Sequence, residues 1–379
     1  MNMKNLCVCC SGPTHIRPIY DRLPYSSAVL DREYRDSLPS ASFVAAVCEN
    51  CKHITNVSNS RSNSEYSDDR YVVKSAVSGA MSTNLQTILD FITKDIRDFR
   101  DLSVLEVGSG GGEVANWFAE KGASVVTVDP AIAGYSHGGI THYQINFDEN
   151  IFQYVDRKFH LILGRHILEH TENPRAFLET CSQLLYPKGT IYIELPDLIS
   201  TLDHARLIDF FNDHIQHFSE NSLRLLAQQQ CLESIKVTRW LNGAHLGMML
   251  SHNDTMSYEN QPDDLDIAKS LDKSEKKLNQ VIQKMAKFNR IALYGAGAHA
   301  NTFVNQLSSD TKNLITTVFD RSSSKQGRYL PGLSAPIVAP GVDELADIDL
   351  VVNTSVLYIN EVEEYLTKQL GWTGTILHL

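Results

Sequence analysis

The sequence predicts an α/β protein in which two doubly wound sheets follow a small cysteine-rich module, and three observations carry that prediction. LSVLEVGSGGGEVANWFAEKGASVVTVDP (residues 102–130) runs apolar strand, glycine-rich turn, helix and second apolar strand in succession. RIALYGAGAHANTFVNQL (290–307) repeats the strand, turn and helix. Five of the seven cysteines fall within the first 51 residues. The 379 residues exceed one ordinary domain, and 42% hydrophobic content can fill more than one core. Three units are expected, over 1–65, 66–255 and 256–379.

The balance of charge narrows the partners. A formal net charge of −11, with no run of Lys and Arg, argues against nucleic acid, whose phosphates need a concentrated basic surface. No apolar stretch approaches bilayer length, so no membrane partner is expected. The start MNMKNLCVCC lacks the apolar region of a secretory signal, which makes a cytoplasmic, reducing location the default. There, cysteines are metal ligands or buried thiols before they are disulfides. Cys7 and Cys10 form one C-x-x-C pair and Cys48 and Cys51 another, with 37 residues between the pairs. Two such turns brought together make a tetrahedral four-sulfur site that suits Zn2+, and four protein ligands leave no open position, so the metal is structural. The bland alternative is a set of buried thiols. Cys9 is spare, and His15 and His53 rank below the cysteines as ligands.

In the first glycine unit, residues 104–107 read as a buried strand, 113–120 as a helix and 124–128 as a second strand ending at Asp129. A helical pattern precedes them over 82–98. Glycines 108, 110 and 112 let the backbone approach a ligand, and an acidic residue closing the second strand can bind both ribose hydroxyls. Dehydrogenases share such a fingerprint. Three details shift the reading: the motif opens with Glu106, it sits mid-chain, and FHLILGRHILEHTENP leads by way of a helix to GTIYIELPD. Over about residues 80–250 the chain resembles the class I methyltransferases that use S-adenosyl-L-methionine (SAM). The resemblance implies that Glu106, Gly108 and Gly110 contact the amino-acid part of SAM and Asp129 its ribose. Asn146 and Phe147, at the end of a third strand, become candidates for the adenine, with a core role open for Phe147. Arg165 and His166 end the fourth strand, where ligands of open α/β sheets collect. Glu169 and His170 either support that turn or touch substrate.

Residues 257–288 read as a linker helix, and the second glycine unit follows with Gly295, Gly297 and a strand ending at Asp320. The four cysteines, the class I core, FNDHIQHFS (211–219), YGA (294–296) and DRSSSKQGRYLPG (320–332) together resemble the three-domain sugar C-methyltransferases. That resemblance implies a Rossmann-like last domain that closes over substrate and holds no second dinucleotide. It also implies C-methylation of a nucleotide-linked keto-deoxysugar. A carbon nucleophile requires a base beside a carbonyl, a task suited to histidine. His214 falls at the family's base position with Asp213 to orient it, and His217 could assist or replace it; a packing histidine is the alternative. Lys325 and Arg328 would meet either a developing oxyanion or a diphosphate.

Two departures lie where substrate would be handled. Tyr71 is retained ahead of the core, but Val73 stands where a second Tyr is expected, and Asn242-Gly243-Ala244-His245 replaces the family's H-G-G-S. Tyr71, His170 and His245 are the substrate candidates on the core. The competing activity is O- or N-methylation of a non-sugar small metabolite in natural-product tailoring. The expected partner is a small molecule, most simply a nucleotide-sugar, bound by a monomer or small homo-oligomer.

Overall fold

The computed structural model describes residues 6–24, 29–31, 40–58, 79–131, 139–253 and 265–379, so Tyr71 and Val73 lie outside the described residues. Between the two cysteine pairs run β1 (Thr14–Pro24) and β2 (Ser40–Cys48), antiparallel with Thr14 opposite Cys48; β3 (Ile54–Asn56) pairs with the other edge of β2. The expected helix is α1 (Gly79–Thr93), earlier than 82–98. The glycine unit then folds as read, into β4 (Ser103–Val107), α2 (Glu113–Glu120) and β5 (Ser124–Val128). Gly112 caps α2 at φ 79, a left-handed conformation that glycine tolerates. The third strand, β6 (Ile140–Tyr143), stops short, leaving Asn146 and Phe147 beyond its end.

Next come β7 (Phe159–Arg165), α3 (Pro174–Leu184), β8 (Leu185–Pro196) and α4 (Leu198–Asp203). The TENP turn starts α3 because Asn173 accepts from the Ala176 N–H and Pro174 occupies the first turn. The two-residue β9 (Gln216–His217), α5 (Glu220–Gln228), β10 (Leu232–Trp240) and β11 (His245–His252) complete the unit. Its seven-stranded sheet has the order β10-β11-β8-β7-β4-β5-β6. The strands from β8 to β6 are parallel, and β11 runs against both of its neighbours. Near-continuous burial along β4, β5, β7 and β8 is what a parallel sheet covered on both faces requires.

The linker helix is α6 (Ile267–Met285), capped by Asp266, within the 257–288 expected. After it come β12 (Ile291–Tyr294), α7 (Ala298–Val304), α8 (Ser309–Asn313), β13 (Ile315–Phe319) and β14 (Ile337–Val338). The chain ends with α9 (Val342–Leu345), β15 (Leu350–Asn353), α10 (Ile359–Glu364) and β16 (Thr375–His378). The five strands are all parallel, in the order β14-β13-β12-β15-β16.

The three units share their interiors. One core joins Tyr20 and Phe43 of the N-terminal sheet to Leu202 and Phe210 of the middle unit and to Leu278, Phe303 and Leu330 of the last. A second joins the cysteine turns to Leu178, Phe218 and Leu226. The N-terminal sheet even borrows a strand: β3 pairs with β9, placing Ile54 opposite His217.

Candidate active site

The carboxyl ends of β4, β5, β7 and β8 and the start of β11 lie along one edge of the middle sheet, where open α/β folds collect ligands. Over β4 and β5, Asp129 ties two loops together: Oδ2 accepts from the Gly110 N–H and Oδ1 from the Ala131 N–H, each at 2.9 Å. Gly110, at φ 49, has nothing within 4 Å of where a Cβ would stand, so a ligand can approach its backbone. Gly108 does a different job. A Cβ there, at φ 70, would come within 2.0 Å of Ile167, so this glycine lets the loop pack on the turn after β7. Glu106 is buried with Oε2 unpartnered. Burial pushes its carboxyl up to about 8, against the pull of the Arg165 guanidinium. A buried, unpaired carboxyl beside an open glycine turn fits an ammonium, and these residues together could hold the amino-acid end of SAM.

The next strands carry a cluster of histidines and carboxylates. Arg165 Nε donates to Glu194 Oε2 at 2.7 Å, so Arg165 is spent on Glu194. His166 takes φ 53, a strained conformation for a histidine, and places its two ring nitrogens between two carboxylates. Nδ1 lies 3.3 Å from Glu169 Oε1 and Nε2 lies 3.5 Å from Glu194 Oε1. Burial pulls His166 down, but Glu169 and Glu194 outweigh it and raise it to about 9. His245 stacks edge-on against His166, with ring centroids 4.7 Å apart.

Glu169 joins this group to a second one. Ligand atoms of Glu169, His170 and His214 all lie within 4.8 Å of one another. His170 Nδ1 is 2.8 Å from the Asp213 carbonyl. A carbonyl only accepts, so Nδ1 carries the proton and the lone pair of neutral His170 sits on Nε2. Asp213 thus contributes its backbone carbonyl to His170, and the carboxylate brought into the His214 group is that of Glu169. His217 packs between Phe43 and Phe210 in the borrowed strand, its ring 6.2 Å from that of His214.

The segment carrying His214 is gripped from both sides. The Tyr20 hydroxyl donates to the Leu207 carbonyl at 2.7 Å, and the Asn56 N–H to the Ile215 carbonyl at 2.7 Å. From the last unit, His299 Nε2 reaches Asp209 Oδ1 at 3.0 Å, and its ring lies 5.1 Å from Phe211, which touches His214. Burial favours the neutral form of Asp209, but His299 and Arg206 outweigh it and hold the carboxyl at about 2. The cysteine module and the last domain therefore both support the loop of the candidate base.

The remaining expected residues fall as follows. Phe147 packs on Phe177 with centroids 5.0 Å apart, and Asn146 is exposed. Lys325 pairs with Asp320 at 3.0 Å, and Arg328 with Asp31 at 3.5 Å. Asp320 also accepts from the Ala296 and Ser322 N–H groups, the pattern that Asp129 makes with Gly110 and Ala131, and it differs from Asp129 in carrying the Lys325 ion pair. All seven cysteines are free thiols. Sγ atoms of Cys7 and Cys51 lie 3.5 Å apart and those of Cys10 and Cys48 3.4 Å apart, near the roughly 3.8 Å edge of a tetrahedral zinc–thiolate centre. The Cys9 and Cys51 N–H groups point to Cys7 and Cys48 Sγ at 3.3 and 3.4 Å. Arg175 and Gln229 of the middle unit hold the Val8 and Cys9 carbonyls, seating the cysteine turn on α3 and the end of α5. Four thiols converging this closely fit a soft divalent ion. Cys9 faces the core, His15 is exposed, and His53 bonds Gln216.

Glu194 was absent from the residues expected at the site, although the signal was present: an acidic side chain inside the otherwise apolar IYIELP. His299 and Asp209 carried no such signal, since only the docking of the last unit joins them.

Residues 76–236 match a methyltransferase domain family, and residues 222–377 match a C-methyltransferase C-terminal domain family. Among characterised proteins, the chain is 23% identical over 296 residues to the C-methyltransferase NovU of Streptomyces niveus, covering 72% of this chain and 70% of that one. It is 31% identical over 101 residues to the ubiquinone biosynthesis O-methyltransferase of Maricaulis maris, covering 24% of this chain and 40% of that relative's length. A solved Burkholderia thailandensis 1,6-didemethyltoxoflavin-N1-methyltransferase with bound S-adenosylhomocysteine aligns at 16% identity with a TM-score of 0.34, over 48% of this chain and 94% of that one. The two matched regions together run from residue 76 to residue 377 behind the four-cysteine cluster, and on that ground the chain is a SAM-dependent methyltransferase with a class I core and a C-methyltransferase C-terminal domain.

Proposed function

We propose that this enzyme methylates a carbon next to a carbonyl of a nucleotide-linked keto-deoxysugar, with His214 as the base. The observation that carries the reading is the Glu169–His170–His214 group, on the same sheet edge as the Gly110–Asp129 loops and under the last domain. When bound, SAM supplies an electrophilic methyl group. Glu106 and Gly110 would hold its amino-acid end and Asp129 its ribose, while Zn2+ would take the four cysteines as a structural ion. The protein's own part is to move one proton. His214 removes it from the carbon beside the carbonyl, the C–H electron pair passes into an enolate, and the buried Glu169 carboxylate stabilises the imidazolium that forms. Lys325, Arg328, Tyr71 and His245 remain the candidates for holding the acceptor.

The test is methyl transfer from labelled SAM to a panel of nucleotide keto-deoxysugars, with His214→Ala in parallel. The expected outcome is a methylated sugar, with the rate lowered on the order of 10²–10⁴-fold in the variant. Transfer only to an oxygen or nitrogen of a non-sugar metabolite, or an unaltered rate in the variant, would replace this reading with the competing one.

Glu106 adds a pH dependence. Its carboxyl must ionise to meet an ammonium, and it does so only near pH 8. Affinity for SAM should therefore rise about tenfold per pH unit from pH 6 and level off near 8, where the ligand's own amino group begins to lose its proton. Calorimetric titration across this range checks it, and Glu106→Gln should flatten the slope. A flat profile in the unaltered protein would remove Glu106 from that role.

A further inference from the structure

Beside the SAM loops, the ends of β7 and β8 and the start of β11 bring together two buried ligand atoms without a hydrogen-bond partner and, close to them, a ring nitrogen of His166. Glu194 is almost completely buried; its Oε2 accepts from Arg165, yet its Oε1 has no hydrogen-bond partner. His245 Nδ1 is also buried and unpartnered, and lies 3.6 Å from that same oxygen. His166 Nε2 lies 3.5 Å from it. These separations exceed a good N–H···O bond, and they match the roughly 3.4 Å edge of a tetrahedron of nitrogen and oxygen ligands around zinc.

We infer that His166, Glu194 and His245 bind a divalent transition-metal ion of the zinc class, with its fourth position open. Two imidazoles and one carboxylate are a donor set for such ions, and three protein ligands leave room for an oxygen from a small molecule. The supports are already in place. Arg165 fixes the other oxygen of Glu194, Tyr192 approaches that oxygen at 3.4 Å, and Trp240 holds Tyr192 at 2.8 Å. Glu169 sits 3.3 Å from the far nitrogen of His166, the arrangement by which a carboxylate orients a metal-bound histidine. The left-handed backbone of His166 aims its ring between the two carboxylates.

Its position suggests a use, which rests on the methyl-transfer reading above. An acceptor carbonyl bound at the open position would be polarised, and the enolate oxygen formed on proton loss to His214 would be stabilised by the ion.

Metal content tests the site without any acceptor, so its failure and that of the methyl-transfer reading are separable. Protein stripped of metal and reloaded with Zn2+ alone should hold a second equivalent beyond that of the four cysteines, measured by elemental mass spectrometry after gel filtration. His245→Ala and Glu194→Gln should each lose the second equivalent and keep the first. Reloading with Co2+ should add weak visible bands of a nitrogen–oxygen site to the intense thiolate bands. In His245→Ala only the weak bands should vanish, and intact thiolate bands would show that the variant is folded. A single equivalent in the unaltered protein overturns the inference, and that result does not depend on the variants folding. So does a second equivalent lost in His214→Ala but retained in His245→Ala, which would assign the ion to the neighbouring group.

Discussion

Replacing Cys48 with Ser is expected to cost on the order of 5 kcal/mol or more of stability and to cripple methyl transfer. Cys48 is buried at the end of β2, and its neighbour β3 pairs with β9 two residues after His214. The N-terminal sheet has little interior of its own and completes it against Phe210 and Leu202. Once the four sulfurs release the turn, the grip of Tyr20 on Leu207 and of Asn56 on Ile215 loosens as well. A displacement of about 1 Å at a catalytic group costs about 10²-fold in rate, so transfer should fall by that order. The SAM loops over β4 and β5 lie elsewhere and should bind nearly as before. Thermal unfolding, SAM calorimetry and a transfer assay on the same sample separate these effects. Full activity in Cys48→Ser would show that the module is independent of the active loop.

Asp129→Ala is expected to weaken SAM binding by about 10–100-fold, since a hydrogen bond to a charged group is worth about 1.5–3 kcal/mol. The loss has two sources. The ribose would lose its acceptor, and the Gly110 and Ala131 N–H groups would lose theirs, freeing both loops. Asp320 supplies an internal control, because it fastens the second glycine turn in the same manner through Ala296 and Ser322. Asp320→Ala should lower the melting temperature without changing the affinity for SAM. If both variants weakened SAM equally, the last domain would hold part of that ligand, and its pairing with Lys325 would need a different explanation.

Local order accounts for what could be read in advance. β5 and α2 fell on the residues read from apolar runs and glycines, because a strand buried on both faces and a glycine-capped helix are written in contiguous sequence. Phe147 was ambiguous for the opposite reason. An aromatic after a strand packs on either a ligand or a helix, and only the placement of α3 sets it on Phe177.

By itself, the sequence determined the α/β class, the two glycine units and the convergence of four cysteines, all set by short-range patterns. Tertiary structure alone decided which of the candidate residues meet, and with what partners. His166 and Glu169 share the turn after β7, while Glu194, His214 and His245 come from other strands and loops, and the register of the sheet brings them to one edge. The loop of His214 is held by partners more than a hundred residues before it and about ninety residues away in the last domain. Such contacts arise when apolar faces from all three units bury against one another, and no spacing along the chain records which faces will meet.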